Sequence, residues 1–274
     1  FPCENGFILN NFRLGCHSHK APISLHDAIA TSCNAYFCWG LHTMFGMEKY
    51  ENRKNAMNKW RDYMVSMGCG YTLGVDLPGE SRGMIPNAEF YTKHYSNYWR
   101  AVTVISISIG QGEVLLTPLQ IANLGAIIAN RGTFITPHLV KEVENDTIAS
   151  KYLTEKKTMV SPKAYEEVIK GMRLAVLKGT CKGADIPGYE VCGKTGTAQN
   201  KGDDHSVFLG FAPMKKPKIA ISVYVENGGF GADYGVPIGA LMMEQYLNGE
   251  LSPESEEKAK AFQRKSIYYG NRER

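Results

Sequence analysis

The sequence has 274 residues, of which 43% are hydrophobic and 21% charged, a composition typical of a folded globular protein with enough chain to bury a core. The net charge is only +4 and the lysines and arginines are scattered, which argues against nucleic-acid binding. No apolar run reaches the length of a membrane span, and seven cysteines is an odd number for a secreted disulfide framework.

The first hundred residues predict helices separated by irregular or turn-rich segments. Residues 1–23 look irregular, after which Ser24 is placed to cap a helix. The helical spacing of apolar residues continues on both sides of Ser32. A second amphipathic helix is predicted over 48–67, and the segment 70–100 is rich in turn residues.

The rest of the sequence changes from a helical to a strand-like pattern near residue 188. Thr117 and Pro118 are the expected start of a helix, with the threonine as its cap and the proline in its first turn. Helices are predicted over 117–130, 162–177 and 237–247, and short strands over 189–192, 207–211 and 219–224. A helical part followed by an antiparallel sheet with a closing helix indicates an α+β or α/β-sandwich fold, and a charged tail follows.

Two short motifs suggest the chemistry. Residues 194–196 (KTG) and 32–34 (SCN) match K-T-G and S-x-N, two of the three signatures of acyl-serine enzymes that react with penicillin. Either motif alone is common by chance. Their order along the chain and the strand-like approach to Lys194 make the pair informative.

The K-T-G residues and the threonine that follows suit the recognition of an acyl substrate. Lys194 is expected to hold the carboxylate of the substrate or of penicillin, with hydroxyl donors from Thr195 and Thr197. Gly196 lacks a Cβ, so a substrate backbone can approach the strand edge closely and add to it as a further strand. The backbone N–H of Thr197 is a candidate oxyanion donor.

The S-x-N residues suit proton transfer and amide binding. Ser32 is expected to relay a proton between a nucleophile, Lys194 and the leaving group, while Asn34 bonds a substrate amide. The nucleophile would belong to an S-x-x-K motif upstream of Ser32, and residues 1–31 contain none. Ser255 to Lys258 match that motif but lie downstream in the charged tail, without apolar surroundings to lower a lysine pKa, and are interpreted as surface helix.

A further motif match is misleading. Residues 188–195 fit the phosphate-binding pattern G-x-x-x-x-G-K-[ST] letter for letter. That loop needs a buried strand before it and a helix beginning at the lysine, whereas Pro187 precedes it and Gly196, Gly202 and Asp203 follow. We therefore expect no nucleotide site here.

Five ordered landmarks together resemble the transpeptidase domain of class B penicillin-binding proteins, most closely the penicillin-binding protein 2 group of the cell-elongation machinery. The landmarks are residues 32–37, 74–80, 109–112 with 117–120, 193–198 and 208–213. The resemblance covers nearly all of residues 1–250, which we interpret as a partial transpeptidase domain, with a charged C-terminal tail over 251–274.

The resemblance implies both a fold and an activity. The fold would be the penicillin-binding transpeptidase or β-lactamase-like fold, an antiparallel sheet flanked by helices plus a helical subdomain, incomplete at the N-terminus. The activity would be D,D-transpeptidation of peptidoglycan stem peptides through an acyl-serine, without a required cofactor and with covalent inhibition by β-lactams. Because the S-x-x-K segment is missing, we expect this N-terminally truncated chain to be inactive by itself.

The resemblance also implies a setting. The protein would lie on the periplasmic face of the bacterial inner membrane, held by an N-terminal anchor outside this sequence. Its partners would be stem peptides, β-lactam antibiotics, and the glycosyltransferase and scaffold proteins of the elongation machinery.

Five candidate metal ligands are more than a tetrahedral zinc needs. They are Cys3, Cys16, His17, His19 and Cys33. Carried over by position from the resemblance, the ligands of a structural zinc would be Cys3, Cys16, His19 and Cys33, with His17 as the alternative to His19. A Cys3–Cys16 disulfide and free thiols are the other interpretations.

Two other functions remain open at this point. A serine β-lactamase or β-lactam sensor shares the motifs, although residues 74–80 and 109–120 favour the synthase. A non-catalytic scaffold of the elongation complex would use the fold alone, and an upstream sequence without S-x-x-K would identify it.

Overall fold

The computed structural model describes residues 1–267, so the end of the predicted tail, 268–274, lies outside the described residues. The helices are α1 (Leu25–Thr31), α2 (Asn34–Phe45), α3 (Arg53–Ser66), α4 (Ala88–Tyr95), α5 (Pro118–Ala129), α6 (Pro162–Lys178), α7 (Gly235–Asn248) and α8 (Pro253–Gln263), with a long 3-10 helix over Ala101–Ile109. The strands are β1 (Gly6–Leu9), β2 (Phe12–Gly15), β3 (Thr133–Phe134), β4 (Lys156–Lys157), β5 (Cys192–Ala198), β6 (His205–Ala212) and β7 (Ile219–Val225). Among the described residues, no helix combines the length and apolar character that crossing a bilayer requires.

The central sheet is antiparallel with strand order β5-β6-β7, which leaves β5 at one edge. Successive residues of β6 face opposite sides. Phe208 is fully buried against α7, where Gly239 allows the helix to approach its ring, and Leu209 faces α5 at Gly125. Helices therefore cover both faces of the sheet, and its edge remains the place where a ligand can add.

The segment that contains Ser32 is held beside β5 by helix packing. α1 lies along α6, and the two are close at Gly171, where a Cβ would come within 2.7 Å of Ile29. Ile29 is buried with Ile169 of α6 in the same hydrophobic cluster as Phe211 of β6. The end of α1 is thereby fixed relative to the sheet.

A second core lies in the helical region. α2 packs on the 3-10 helix Ala101–Ile109 and on the β1–β2 hairpin. Its largest buried side chains include Trp99, Tyr91, Met57 and Phe7. Trp99 is only 1% exposed, so this part of the fold rests on aromatic packing rather than on a sheet.

The predicted helices of the second half are confirmed. α5 begins with the expected cap, because Thr117 Oγ1 accepts from Gln120 N–H. In turn, the Gln120 side-chain oxygen accepts from Thr117 N–H. α6 and α7 also lie where the apolar spacing placed them.

Several boundaries were predicted wrongly. The 48–67 helix begins only at Arg53, because Asn52 caps it by accepting from Asn55 N–H at 3.0 Å. Residues 1–23 contain the β1–β2 hairpin, and the strand predicted over 189–192 begins at Cys192.

The predicted tail contains a packed helix. Within 251–274, Ser255 of α8 is buried and its Oγ donates to Glu244 of α7 at 2.5 Å. The prediction that the downstream S-x-x-K match is helical is confirmed. The prediction that this helix lies on the surface is wrong for its serine, because Ser255 is buried.

Candidate active site

Ser32 lies between α1 and α2, directly after the last residue of α1. Its backbone is left-handed, with φ 57° and ψ 51°, and its N–H donates to Ile29 O at 3.3 Å. Cys33 then begins the next helix by accepting from Tyr36 N–H at 3.4 Å. The apolar spacing that suggested continuous helix across Ser32 hides this break, which turns the Ser32 hydroxyl toward the sheet.

Lys194 lies in β5 and meets that hydroxyl. Its Nζ donates to Ser32 Oγ at 2.9 Å and to Thr195 O at 2.8 Å. Burial lowers the pKa of Lys194 below its ordinary value, and the Cys181 thiol only partly opposes this. Among the described residues Lys194 has no carboxylate partner, so the site presents a cation that an anionic ligand can neutralise.

The hydroxyls and backbone of β5 complete one wall of the site. Thr195 Oγ1 donates to Thr180 Oγ1 at 2.7 Å, and Thr197 Oγ1 accepts from Gly231 N–H at 3.4 Å. Thr197 O accepts from Gln111 Nε2 at 2.9 Å, so this carbonyl points away from β6. In an antiparallel strand the N–H and C=O of one residue share a side, and the Thr197 N–H therefore faces the open edge as well.

Gly196 and Asn34 take less direct positions. Gly196 pairs with Val207 of β6, and because glycine has no Cβ, no side chain projects from the face of β5 at this position. Asn34 lines the cleft, but its Nδ2 donates to Gly15 O at 2.8 Å. Its side-chain oxygen is therefore the group left to accept from a ligand N–H.

These residues surround a cleft of about 690 Å³, which is the size of a small-molecule or peptide-end site. The cleft is bounded by β5, by the start of α2 and by the turn after the 3-10 helix. Of the described residues, its lining serines are Ser32, Ser106 and Ser108, and none of them begins an S-x-x-K motif. The cleft thus has a cation and hydroxyl donors but not the nucleophile motif.

Three cysteines and a histidine meet beside α2. The ligand atoms of Cys3, Cys16, His19 and Cys33 all lie within 4.8 Å of one another. Cys16 Sγ is 3.7 Å from Cys3 Sγ and 3.9 Å from Cys33 Sγ. All of these cysteines are free thiols, so the structure does not contain the alternative Cys3–Cys16 disulfide.

The surroundings of this cluster fit a zinc ion. His19 Nδ1 contacts a backbone carbonyl at 3.0 Å, and its buried Nε2 has no hydrogen-bond partner among the described residues, which leaves Nε2 as a ligand atom. The N–H groups of Ala35 and Tyr36 donate to the sulfurs of Cys16 and Cys33. Such donors stabilise thiolates, the form in which cysteine binds zinc.

His17 is not in the cluster. Its ring makes an edge contact with Phe230, at 6.3 Å between centroids, and both residues line the cleft. The structure therefore does not support His17 as the alternative to His19.

The loop that carries Phe230 is tied to β6 by one buried serine. Ser206 Oγ donates to Phe230 O at 2.8 Å and accepts from Gly235 N–H at 3.0 Å. Ser206 is fully buried and pairs with Thr197, so it fixes the loop against the K-T-G strand.

Replacing Ser206 with alanine is expected to lower the free energy of unfolding by about 1–3 kcal/mol, because two buried backbone groups lose their partner. Urea denaturation of the chain measures this. The matched control is Ser222→Ala on β7, where the buried Oγ has no partner among the described residues and removal should be neutral or slightly stabilising. Equal losses in both variants would contradict the assigned role of Ser206.

Sequence reasoning missed some residues of the site. Gln111 belongs to a landmark but received no role, and Thr180 carried no signal because its loop reaches β5 only in the folded chain. The phosphate-loop match at 188–195 is excluded as a nucleotide site, because Lys194 lies within a strand instead of at the start of a helix.

The model of the penicillin binding protein transpeptidase domain matches residues 2–244. The chain belongs to this transpeptidase family. The predicted family and fold class are confirmed, and the helix-flanked antiparallel sheet is the fold of this family. Curated relatives in this family are named peptidoglycan D,D-transpeptidases.

The chain is similar to curated D,D-transpeptidases. It is 36% identical over 232 residues to the peptidoglycan D,D-transpeptidase MrdA of Acinetobacter baumannii, covering 76% of this chain and 32% of that protein. The chain thus spans about a third of the length of the curated relatives it matches.

Solved structures show the same likeness. The structure of Pseudomonas aeruginosa PBP2 in complex with WCK 5153 superposes with a TM-score of 0.76 and 28% identity, covering 91% of this chain and 54% of that one. The complex of PBP2 and MreC from Helicobacter pylori gives a TM-score of 0.73 and 25% identity, covering 92% and 45%.

Proposed function

We propose that the full-length protein is a peptidoglycan D,D-transpeptidase of the elongation type that cross-links stem peptides through an acyl-serine. The observation that carries this proposal is the contact of Lys194 Nζ with Ser32 Oγ beside the edge of β5. It supports a site in which a cation and a proton-relaying hydroxyl adjoin a strand to which a peptide can add.

The reaction would proceed in two acyl transfers. A serine from an S-x-x-K segment upstream of Ser32, a motif that residues 1–31 do not contain, attacks the carbonyl of the penultimate D-alanine. The peptide C–N bond breaks, D-alanine leaves with a proton relayed through Ser32, and the stem is held as an ester. The amine of a second stem then attacks the ester, loses a proton through the same relay, and restores the serine.

The other residues of β5 would recognise and stabilise the substrate. Lys194 and the hydroxyls of Thr195 and Thr197 bind the terminal carboxylate, for which the lysine has no competing carboxylate among the described residues. The Thr197 N–H at the open edge donates to the oxyanion, and the side-chain oxygen of Asn34 accepts from a stem amide.

We further propose a structural zinc held by Cys3, Cys16, His19 and Cys33. The compact donor set and the unpartnered His19 Nε2 support this assignment. A bound zinc would supply a rigid tetrahedral link between the N-terminal hairpin and α2. The residue that follows Ser32 would then be a ligand, so the link would also fix the relay serine.

The setting of the protein follows from the same proposal. A periplasmic domain anchored in the inner membrane would meet stem peptides and β-lactams, and would work beside a glycosyltransferase of the elongation machinery. A scaffold partner is supported by the Helicobacter pylori relative, whose structure is a complex with MreC.

Intact mass spectrometry after incubation with penicillin tests the proposed activity. The full-length protein should gain one penicilloyl adduct that persists for many minutes, whereas residues 1–274 alone should gain none. Rapid loss of the adduct would indicate a β-lactamase, and no adduct on the full-length protein would indicate a non-catalytic scaffold. An adduct on the chain alone would contradict the expectation that its nucleophile is missing.

A further inference from the structure

The backbone acceptor at the open edge of β5 is already occupied by a side chain. Gln111 Nε2 donates to Thr197 O at 2.9 Å, between residues 86 positions apart. Because β5 is an edge strand, no neighbouring strand takes this carbonyl. A peptide that adds to β5 as a further strand needs the same carbonyl to accept its own N–H.

The adjoining part of the edge offers no substitute acceptor. Thr195 O accepts from Lys194 Nζ at 2.8 Å, and the Thr195 N–H meets the sulfur of the buried Cys181. The N–H and C=O of Thr197 are therefore the edge groups at which a ligand can pair. The ligand and Gln111 compete for one of them.

The turn that carries Gln111 holds its backbone while leaving its side chain to reach across the cleft. Gly110 and Gly112 have φ values of 74° and 69°, so one left-handed residue lies on each side of Gln111. The Gln111 N–H donates to Ser106 O at 3.1 Å. Side-chain rotation alone can thus withdraw the amide from Thr197, without a backbone change.

We propose that Gln111 is a displaceable cap on the Thr197 carbonyl, a positioning residue that satisfies this acceptor in the free site and yields it to the N–H of a docking ligand. The inference rests on the proposed function. Displacement costs the ligand one hydrogen bond between neutral groups, and this loss offsets the bond that the ligand forms. A ligand without an N–H at this place leaves the cap where it is.

Acylation rates of the full-length protein test the cap with two penams. One carries an acylamino side chain with its N–H, and the other is the unsubstituted penam acid, which lacks that group. Gln111→Met keeps the side-chain length but removes the donor. It is expected to raise the second-order acylation rate of the acylamino penam by about two- to tenfold, and to change that of the unsubstituted penam less than about twofold.

The control is Gln263→Met, because Gln263 is an exposed glutamine at the end of α8 and does not line the cleft. Its two rates should stay within about twofold of wild type. If Gln111→Met lowered the acylation rates of both penams equally, Gln111 would be a static brace of the site and the proposal would be overturned. Two unchanged rates would overturn it as well. If wild type reacts with neither penam, the proposed function itself fails.

A crystal structure of the wild-type penicilloyl adduct provides a second measurement that needs no variant. With the acylamino penam, the ligand N–H should donate to Thr197 O, and Gln111 Nε2 should lie beyond hydrogen-bonding distance of it. Retention of the Gln111 bond in that adduct would overturn the proposal.

Discussion

Replacing Lys194 with methionine is expected to slow penicillin acylation of the full-length protein strongly and at the same time to stabilise the fold. The acylation rate should fall on the order of 10²–10³-fold, because the variant loses the cation that binds the ligand carboxylate and the contact to Ser32. The stability should rise by about 1–2 kcal/mol at neutral pH, because a desolvated charge without a carboxylate partner is replaced by an apolar side chain of similar length.

The difference in stability between wild type and Lys194→Met is expected to change with pH in a definite direction. Burial lowers the pKa of Lys194 in the folded chain below its ordinary value of 10.5, so the unfolded chain binds more protons between those two values. The wild-type free energy of unfolding therefore rises as the pH passes through this interval. The stability advantage of Lys194→Met should be largest below the interval and should narrow across it.

Urea denaturation of the chain at several pH values, with acylation kinetics of the full-length protein, makes both measurements. Lys201→Met is the matched control, since Lys201 is an exposed lysine in the turn between β5 and β6 and should change neither quantity. A Lys194→Met variant that is less stable than wild type at neutral pH, or that still reacts with penicillin at the wild-type rate, would contradict the assignment.

Removing the proposed zinc is expected to lower the melting temperature of the chain by on the order of 10 °C. At a free zinc concentration 1,000-fold above Kd, binding adds about 4 kcal/mol, and each kcal/mol shifts the melting temperature of a chain of this size by roughly 2–4 °C. Scanning calorimetry with and without a chelator measures the shift, and elemental analysis gives the metal content. One zinc per chain is expected before chelation and none afterwards.

Two pairs of variants separate the metal from ordinary packing. Cys16→Ser should abolish stoichiometric zinc, whereas Cys69→Ala removes a buried thiol outside the cluster and should keep one zinc per chain. His19→Ala should weaken zinc binding strongly and His17→Ala should not, because His17 contacts Phe230 at the cleft. A purified chain that contains no zinc and does not respond to the chelator would contradict the proposal.

The sequence predicted those features that depend on neighbouring residues. α5 is an example, since its cap is formed by Thr117 and Gln120 within a single turn. The motifs also named the residues that meet in the cleft, because K-T-G and S-x-N are each short and contiguous.

Features that depend on distant parts of the chain were not predictable in this way. The K-T-G residues are a strand because β6 pairs with them, although two of the seven residues of β5 are glycines. The end of α1 at Ser32 is invisible in the apolar spacing, which continues into α2. The Gln111 contact likewise exists only once the 3-10 helix and the sheet have packed together.

The left-handed backbone of Ser32 narrows the choice of residue in evolution. Threonine would keep the hydroxyl, but its β-branched side chain is strongly disfavoured at a φ of 57°. Asparagine, aspartate and glycine tolerate that conformation but lack the hydroxyl. The backbone therefore disfavours the mildest exchange at this position, and substitutions that retune the proposed relay should fall on the residues around Ser32 while the serine itself persists.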